Sequence, residues 1–322
     1  MKDSFGREIE YMRISLTDRC NLRCCYCMPH DVEFIPHEFI LSYEEILRIC
    51  SVVKELGINR FKVTGGEPLV RKGCVNFIRS LKNMDGVEQV TMTTNGMLLG
   101  DCVEELEDMG LDGVNISLDS LNRERFLKIT GRDGLLQVLR SVELAEQAGI
   151  HTKINCVPLN DLDEQEIGEF LEISRCRNVD VRFIEMMPIG FGKEYSGMDL
   201  EKVKKVIKSL YPDGEMVTKR LGNGPANYYH PGGFKGSIGF IEAIHGKFCG
   251  NCNRIRLTSE GFLKTCLYYD HGTDLRRLLR GGASDEEIKE IIRKTIYAKP
   301  REHAFGEKKE GAENRKMSQI GG

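Results

Sequence analysis

Between residues 11 and 188, short apolar runs alternate with longer segments whose apolar positions recur every three or four residues. The short runs predict strands at Met12–Thr17, Phe61–Thr64, Val90–Thr94, Gly113–Leu118, Thr152–Val157 and Val181–Met186. The longer segments predict helices near 43–56, 74–83, 102–109, 134–148 and 164–176. Ser42-Tyr-Glu-Glu45 opens the first helix with a capping box, and Gly57 and Gly149 close two helices where a positive φ is tolerated. Strictly alternating strands and helices predict a parallel α/β sheet with right-handed crossovers. Six strands, where a complete TIM barrel has eight, predict an incomplete (β/α)6 TIM-like barrel open on one side.

The pattern breaks after residue 190. Three glycines within Gly190–Gly197 read as a linker. Two units follow: a barrel core over 1–190 and a C-terminal extension over 191–322. The extension predicts a charged helix over Asp199–Leu210, a glycine-rich stretch, a hairpin around Ser259-Glu260-Gly261 and a last helix over Ser284–Tyr297. Residues 307–322 are polar, predict an irregular and mobile end, and finish in Gly321-Gly322.

Strand side chains alternate between two faces. One parity carries Ile14, Leu16, Phe61, Val63, Ile116, Leu118, Ile154 and Phe183, and should meet the helices. The other places Arg13, Arg60, Lys62, Lys153 and Arg182 in the interior beside Thr93, Asn115, Ser117 and Asp119. Buried cations need counter-charge, and Glu67 and Asp119 are too few to supply it. The parity therefore predicts a ligand with several negative charges, such as a triphosphate, which guanidinium groups grip well. An internal salt-bridge network is the alternative.

Cysteines fall in two clusters. Cys20-x3-Cys24-x2-Cys27 follows the first strand, and Cys249-x2-Cys252-x13-Cys266 lies in the extension. Three thiolates can hold three irons of a [4Fe–4S] cube and leave the fourth open for chemistry. The second triad suits a cluster or, with His245 as fourth ligand, zinc. Cys25 breaks the spacing and reads as a bystander. Cys50, Cys74, Cys102, Cys156 and Cys176 fall in apolar periodic segments and read as buried thiols. Twelve cysteines without a signal peptide favour metal chemistry over disulfides and a cytoplasmic location. A net charge of −3 gives no sign of nucleic-acid binding, and no apolar run approaches the roughly 18 residues of a membrane span.

Together these residues resemble the radical S-adenosylmethionine superfamily, and within it the GTP 3′,8-cyclase family of molybdenum cofactor biosynthesis. The resemblance rests on Leu16-Thr-Asp-Arg-Cys-Asn-Leu-Arg-Cys-Cys-Tyr-Cys-Met-Pro29, Thr64-Gly-Gly-Glu-Pro-Leu69 with Arg71, and Ile129-Thr-Gly-Arg132. It continues in Val181-Arg-Phe-Ile-Glu185, Phe248-Cys-Gly-Asn-Cys-Asn-Arg-Ile-Arg-Leu-Thr258 and Met317-Ser-Gln-Ile-Gly-Gly322. Cys25 and the run Ile244-His-Gly-Lys247 depart from the family pattern.

The resemblance implies a lyase that cyclises GTP to (8S)-3′,8-cyclo-7,8-dihydroguanosine 5′-triphosphate. It implies two [4Fe–4S] clusters, on Cys20, Cys24 and Cys27 and on Cys249, Cys252 and Cys266. It implies S-adenosylmethionine held by Tyr26, Gly66, Ser117 and Met187. GTP would be held by Arg13, Arg60, Lys62, Thr93, Lys153, Arg182, Arg254 and Arg256. Arg254, Arg256, Gly321 and Gly322 would serve catalysis. Implied partners are a flavodoxin- or ferredoxin-like electron donor and a downstream cyclic pyranopterin monophosphate synthase, with the chain a monomer or homodimer. Two alternatives stand beside this reading. A two-cluster radical enzyme maturing a peptide would normally carry a longer cysteine-rich module. An iron–sulfur electron carrier would favour closed four-cysteine sites.

Overall fold

The computed structural model describes residues 1–28, 32–218, 221–246, 248–305 and 311–321. The core runs β1 (Tyr11–Ser15), α1 (Tyr43–Glu55), β2 (Arg60–Thr64), α2 (Cys74–Lys82), β3 (Gln89–Thr94), α3 (Val103–Asp108) and β4 (Gly113–Ser117). It continues through α4 (Arg123–Thr130), α5 (Leu135–Gln147), β5 (Thr152–Cys156), α6 (Glu164–Cys176) and β6 (Val179–Ile184). The helix α4 escapes the periodicity reading because it buries only Phe126, Ile129 and Thr130. Its start and stop signals are nonetheless local: Asn122 at the N-cap accepts from Arg125 N–H, and Gly131 takes φ 70° at the C-cap.

The extension contributes α7 (Leu200–Leu210), β7 (Glu215–Val217), β8 (Asn227–His230), β9 (Ile238–Ile241), β10 (Arg254–Leu257), β11 (Phe262–Lys264) and β12 (Gly272–Asp274). Then come α8 (Leu275–Arg280), α9 (Asp285–Tyr297) and α10 (Met317–Ile320). All strands form one sheet in the order β12-β11-β10-β1-β2-β3-β4-β5-β6-β9-β8-β7. The two predicted units thus share a sheet. β10 pairs with β1 in parallel, and β9 pairs with β6 in parallel. Without them both edges of the six-strand core would present unpaired backbone groups. Antiparallel hairpins lie outside each added strand.

The apolar parity packs as predicted. Ile14, Phe61, Val63, Met92, Ile116, Ile154 and Phe183 are fully buried and share one cluster with Ile46, Ile49, Val138 and Phe170 of the helices. Each such side chain contributes about 1.5–3 kcal/mol by leaving water. Among the described residues no helix is long and apolar enough to cross a membrane.

Glu67 ties together the loops that follow β2 and β3. Its Oε1 accepts from Leu69 N–H at 3.1 Å and Thr94 Oγ1 at 2.8 Å, and its Oε2 accepts from Asn95 N–H at 2.6 Å. Burial pushes its carboxyl up to about 7 in spite of these donors. Between the ordinary carboxylate value and about 7, the folded chain keeps a proton that the unfolded chain has released. The stability contributed by Glu67 therefore falls as pH rises across that window. Glu67→Gln cannot accept at both oxygens. We expect it to be less stable than wild type near pH 5 by about 1–3 kcal/mol, the scale of a disrupted buried hydrogen bond. Urea midpoints should show the gap narrowing towards neutral pH. A gap independent of pH would mean that Glu67 stays ionised throughout.

Candidate active site

Strand register places cations abreast. Arg13 on β1 faces Arg256 on β10 and Lys62 on β2. Neighbouring strands stand about 4.8 Å apart, so the three charges form one row. With Arg182, Arg254, Lys153 and Thr93 they line a single large cavity inside the sheet. Burial, followed by Arg182, Arg13 and Lys153, drives Lys62 well below its ordinary value. Burial, then Arg13 and Arg254, does the same to Arg256. Arg182 donates to Asn155 Oδ1 at 2.9 and 2.5 Å, an amide that leaves its charge uncancelled. Gly239 lies beside it in the register, and a Cβ there would stand 2.7 Å from Arg182 Cγ.

Two predicted interior cations behave otherwise. Arg60 has the right parity but is the first residue of β2, and its guanidinium leaves the cavity for Glu10 at 2.9 Å and Glu88 at 3.1 Å. Parity fixes a face only where neighbours enclose the side chain, and a strand's first residue can reach round to solvent. Lys153 does line the cavity, but it donates to Asp180 Oδ2 at 2.8 Å, Leu221 O at 2.8 Å and Tyr228 OH at 3.0 Å. Asp180 is the counter-charge that sequence reading missed. Burial pushes its carboxyl up, but His151, Lys153 and Ser237 N–H outweigh this and hold it below the usual range. Its register opposite Lys153 was the available signal.

Cys20, Cys24 and Cys27 occupy the loop after β1 and line the cavity. Burial and then Cys27 and Asp119 raise the Cys24 thiol well above its ordinary value. Burial, then Cys20 and Asp119, pushes Cys27 up to about 12. Such a donor set fits a strongly positive metal group, which alone makes three neighbouring thiolates favourable. Asn95 Nδ2 lies 3.5 Å from Cys20 Sγ. Gly66 packs against the loop, donating to Thr17 O at 2.7 Å. A Cβ on Gly66 would sit 2.4 Å from Arg19 O, so no side chain fits there. Tyr26 OH donates to Asp119 Oδ2 at 2.6 Å, and Asp119 Oδ1 accepts from Val157 N–H at 2.8 Å. Tyr26, Ser117 and Met187 all line the cavity. Cys25 is half-buried and hydrogen-bonds Tyr195.

The second triad lies at the other end of the strands. Cys249 and Cys252 precede β10, and Cys266 follows the antiparallel β11, so all three sit where β1 begins, whereas the first triad sits where it ends. Both triads line the same cavity. Burial pushes Cys252 up, but Lys299 and Arg254 outweigh it and bring the thiol down to about 6, a cationic setting suited to an anionic thiolate group. Arg7 fixes the loop by donating to Cys249 O at 2.9 Å, and Lys299 Nζ holds Arg254 O at 3.0 Å and Thr265 O. His245 is exposed and its Nδ1 engages Glu185 rather than the triad. Among the described residues no three His, Cys, Asp or Glu groups are gathered closely enough to hold a single ion. A cube asks for less convergence, since each thiolate binds its own iron.

The C-terminal end departs from expectation. Its described residues dock rather than remain irregular: Ile320 is buried with Ile189, Tyr268, Ala304 and Phe305. Gly321 takes φ +75°, and its carbonyl accepts from Arg256 Nη1 at 2.5 Å. A Cβ there would stand 3.0 Å from Ser15 Cβ. The Ser318 N–H faces Cys27. Gly322 lies outside the described residues. Met317 and Ile320 are three positions apart, a single helical step too short to register as periodicity in a polar run. Of the scattered cysteines, Cys50, Cys74 and Cys156 are buried, but Cys102 is only partly so and Cys176 is exposed at the end of α6, off the buried face of Ile167, Phe170, Leu171 and Ser174.

Comparison with known proteins follows this geometry. A profile of the Radical SAM superfamily matches residues 14–173, and one described as Molybdenum Cofactor Synthesis C matches 179–305. The chain is 47% identical over its whole length to the full GTP 3′,8-cyclase of Clostridium perfringens (strain SM101 / Type A). It is 42% identical to Molybdenum cofactor biosynthesis protein 1 of Drosophila melanogaster, across 94% of this chain and 54% of that protein. Its fold is similar to Streptococcus suis SuiB bound to S-adenosylmethionine, with a TM-score of 0.66 at 15% identity over 90% of this chain and 67% of that one. Full-length identity at this level, both profiles and a cavity walled by cations and cysteine triads converge, and the chain belongs to the GTP 3′,8-cyclase family of radical S-adenosylmethionine enzymes, which act at an early step of molybdenum cofactor biosynthesis.

Proposed function

We propose that this large cavity is the cyclisation chamber, with residues 1–190 supplying the radical end and residues 191–322 the guanine end. The observation that carries this is the order of its wall: thiol triad, cation row, thiol triad. Cys20, Cys24 and Cys27 would hold one [4Fe–4S] cluster and Cys249, Cys252 and Cys266 a second. Held by Cys20, Cys24 and Cys27 and loaded with S-adenosylmethionine, the first cluster would supply radical chemistry at the 3′ position of the GTP ribose.

The chain's own part is to bind, orient and exclude. Gly66 offers backbone without a side chain, Ser117 and Met187 shape the wall, and Asp119 fixes the Tyr26 ring through its hydroxyl. Arg13, Lys62, Arg182 and Arg256 meet the triphosphate, whose charge relieves the repulsion among them. Arg254 and Arg256 flank the second triad, and Gly321 orients Arg256. Lys153 reaches the phosphates by exchanging Leu221 O for a phosphate oxygen. Thr93 lines the wall between them. A flavodoxin- or ferredoxin-like protein supplies the electron, cyclic pyranopterin monophosphate synthase takes the product, and the chain works in the cytoplasm as a monomer or homodimer.

Protein reconstituted anaerobically with iron and sulfide should carry about eight irons per chain. Zinc in the C-terminal site of such protein would overturn the second cluster. Cys24→Ala should abolish S-adenosylmethionine cleavage, whereas Cys25→Ala should leave it intact; the reverse outcome would reassign the ligands. Arg182→Ala and Lys62→Ala should each weaken GTP binding by about 1.5–3 kcal/mol, the scale of a charge-assisted hydrogen bond. Calorimetry with guanosine should detect neither change. Equal losses for guanosine and GTP would mean that these cations support the fold rather than the triphosphate.

A further inference from the structure

Lys264 on β11 is fully buried, and the chemistry described so far gives it no task. Its Nζ is ion-paired with Glu313 Oε2 and bonded to Tyr269 O. Glu313 is equally buried. Its Oε1 accepts from Arg315 N–H at 2.9 Å and from Arg315 Nε at 3.1 Å, and its own N–H donates to Tyr268 O at 2.7 Å. Arg315 reaches on to Glu260 Oε1 at 3.3 Å. Gly311 and Ala312 add short strand-like contacts to Asp270 and Tyr269. This ionic group joins β11 and the segment after it to the tail, and Lys193 Nζ adds a contact to Glu313 O at 3.5 Å.

The register gives the arrangement its purpose. Lys264 lies directly opposite Arg256 across the β10–β11 ladder, and opposed residues share a face. One of these cations holds the tail at Glu313, and the other holds it eight positions later at Gly321. The tail is thereby spanned between two points of known separation on one rigid hairpin. A buried pair of this kind is strongly disfavoured once either partner is lost, because the other charge remains in the interior.

We infer that Lys264 and Glu313 form a latch that seats the C-terminal tail in the cavity, and that they are positioning residues acting through Gly321 and Arg256. The inference rests on the reading of Gly321 as part of the active site. The two can be tested apart, because the seating of the tail is measurable without turnover.

The test uses the anaerobically reconstituted full chain. Low-dose trypsin cutting after Lys316 releases Met317–Gly322, and intact mass reads the loss. In parallel, cyclised product is measured against 5′-deoxyadenosine release. In Glu313→Gln the cut should accelerate about tenfold or more, because Lys264 loses its counter-charge. The ratio of cyclised product to 5′-deoxyadenosine should fall by about tenfold, while 5′-deoxyadenosine release without GTP persists. Joint replacement by Lys264→Met and Glu313→Leu leaves no buried charge and should lie closer to wild type than the single change. Arg315→Met, on a partly exposed side chain, should move both readouts in the same direction by less, and it decides the matter should Glu313→Gln fail to fold. A wild-type cutting rate in both Glu313→Gln and Arg315→Met would overturn the latch. A faster cut with an unchanged product ratio would keep the latch and overturn the role given to Gly321.

Discussion

Repulsion among cations on one face of the sheet is the constraint on which the rest of this structure depends. Arg256, Arg13 and Lys62 stand abreast on three adjacent strands, and Arg182 and Arg254 face the same space. A ligand of several negative charges relieves the repulsion in such a row. The protein can fold before that ligand arrives because the opposite face buries a continuous aliphatic and aromatic layer. The hydrophobic face thus carries the energetic burden of a polar face arranged for a guest. This is a local conflict of the kind expected where function and folding compete.

The outlying charges show how the conflict is contained. Arg60 escapes to Glu10 and Glu88, and Lys153 is held by Asp180. The repulsion is therefore concentrated at the centre of the cavity, where the triphosphate would lie, and cancelled at its margins. Lys264, a buried cation opposite Arg256 on β11, is cancelled by a residue nearly fifty positions away.

Much of this was legible in the chain. The six core strands, five core helices and α7 and α9 of the extension follow from periodicity, and the cysteine spacing points to the chemistry before any coordinates exist. What was not legible depends on partners distant in sequence. The counter-charge on Asp180 required knowing that β5 and β6 are adjacent in register. The strands β9 and β10 are short, and their parallel pairing with β6 and β1 leaves no local trace. The docking of the tail rests on Glu313 and on Met317 and Ile320, one helical step with no further repeat. Parity failed at Arg60 because a strand end is not a strand interior.

The pairing of β1 with β10 also makes the sheet a ruler. The first triad hangs from the end of β1 and the second is attached just before β10 begins, so the separation between them is counted in residues of one strand pair. Each residue of strand adds about 3.3 Å and turns the next side chain to the opposite face. One extra residue in β1 would lengthen the gap and also send Arg13 towards the helices. Two would restore the face while moving the ends apart by about 6.6 Å. Length and charge pattern are therefore locked together: this stretch of backbone can change its span only in steps of two, and each step exceeds the reach of a hydrogen bond.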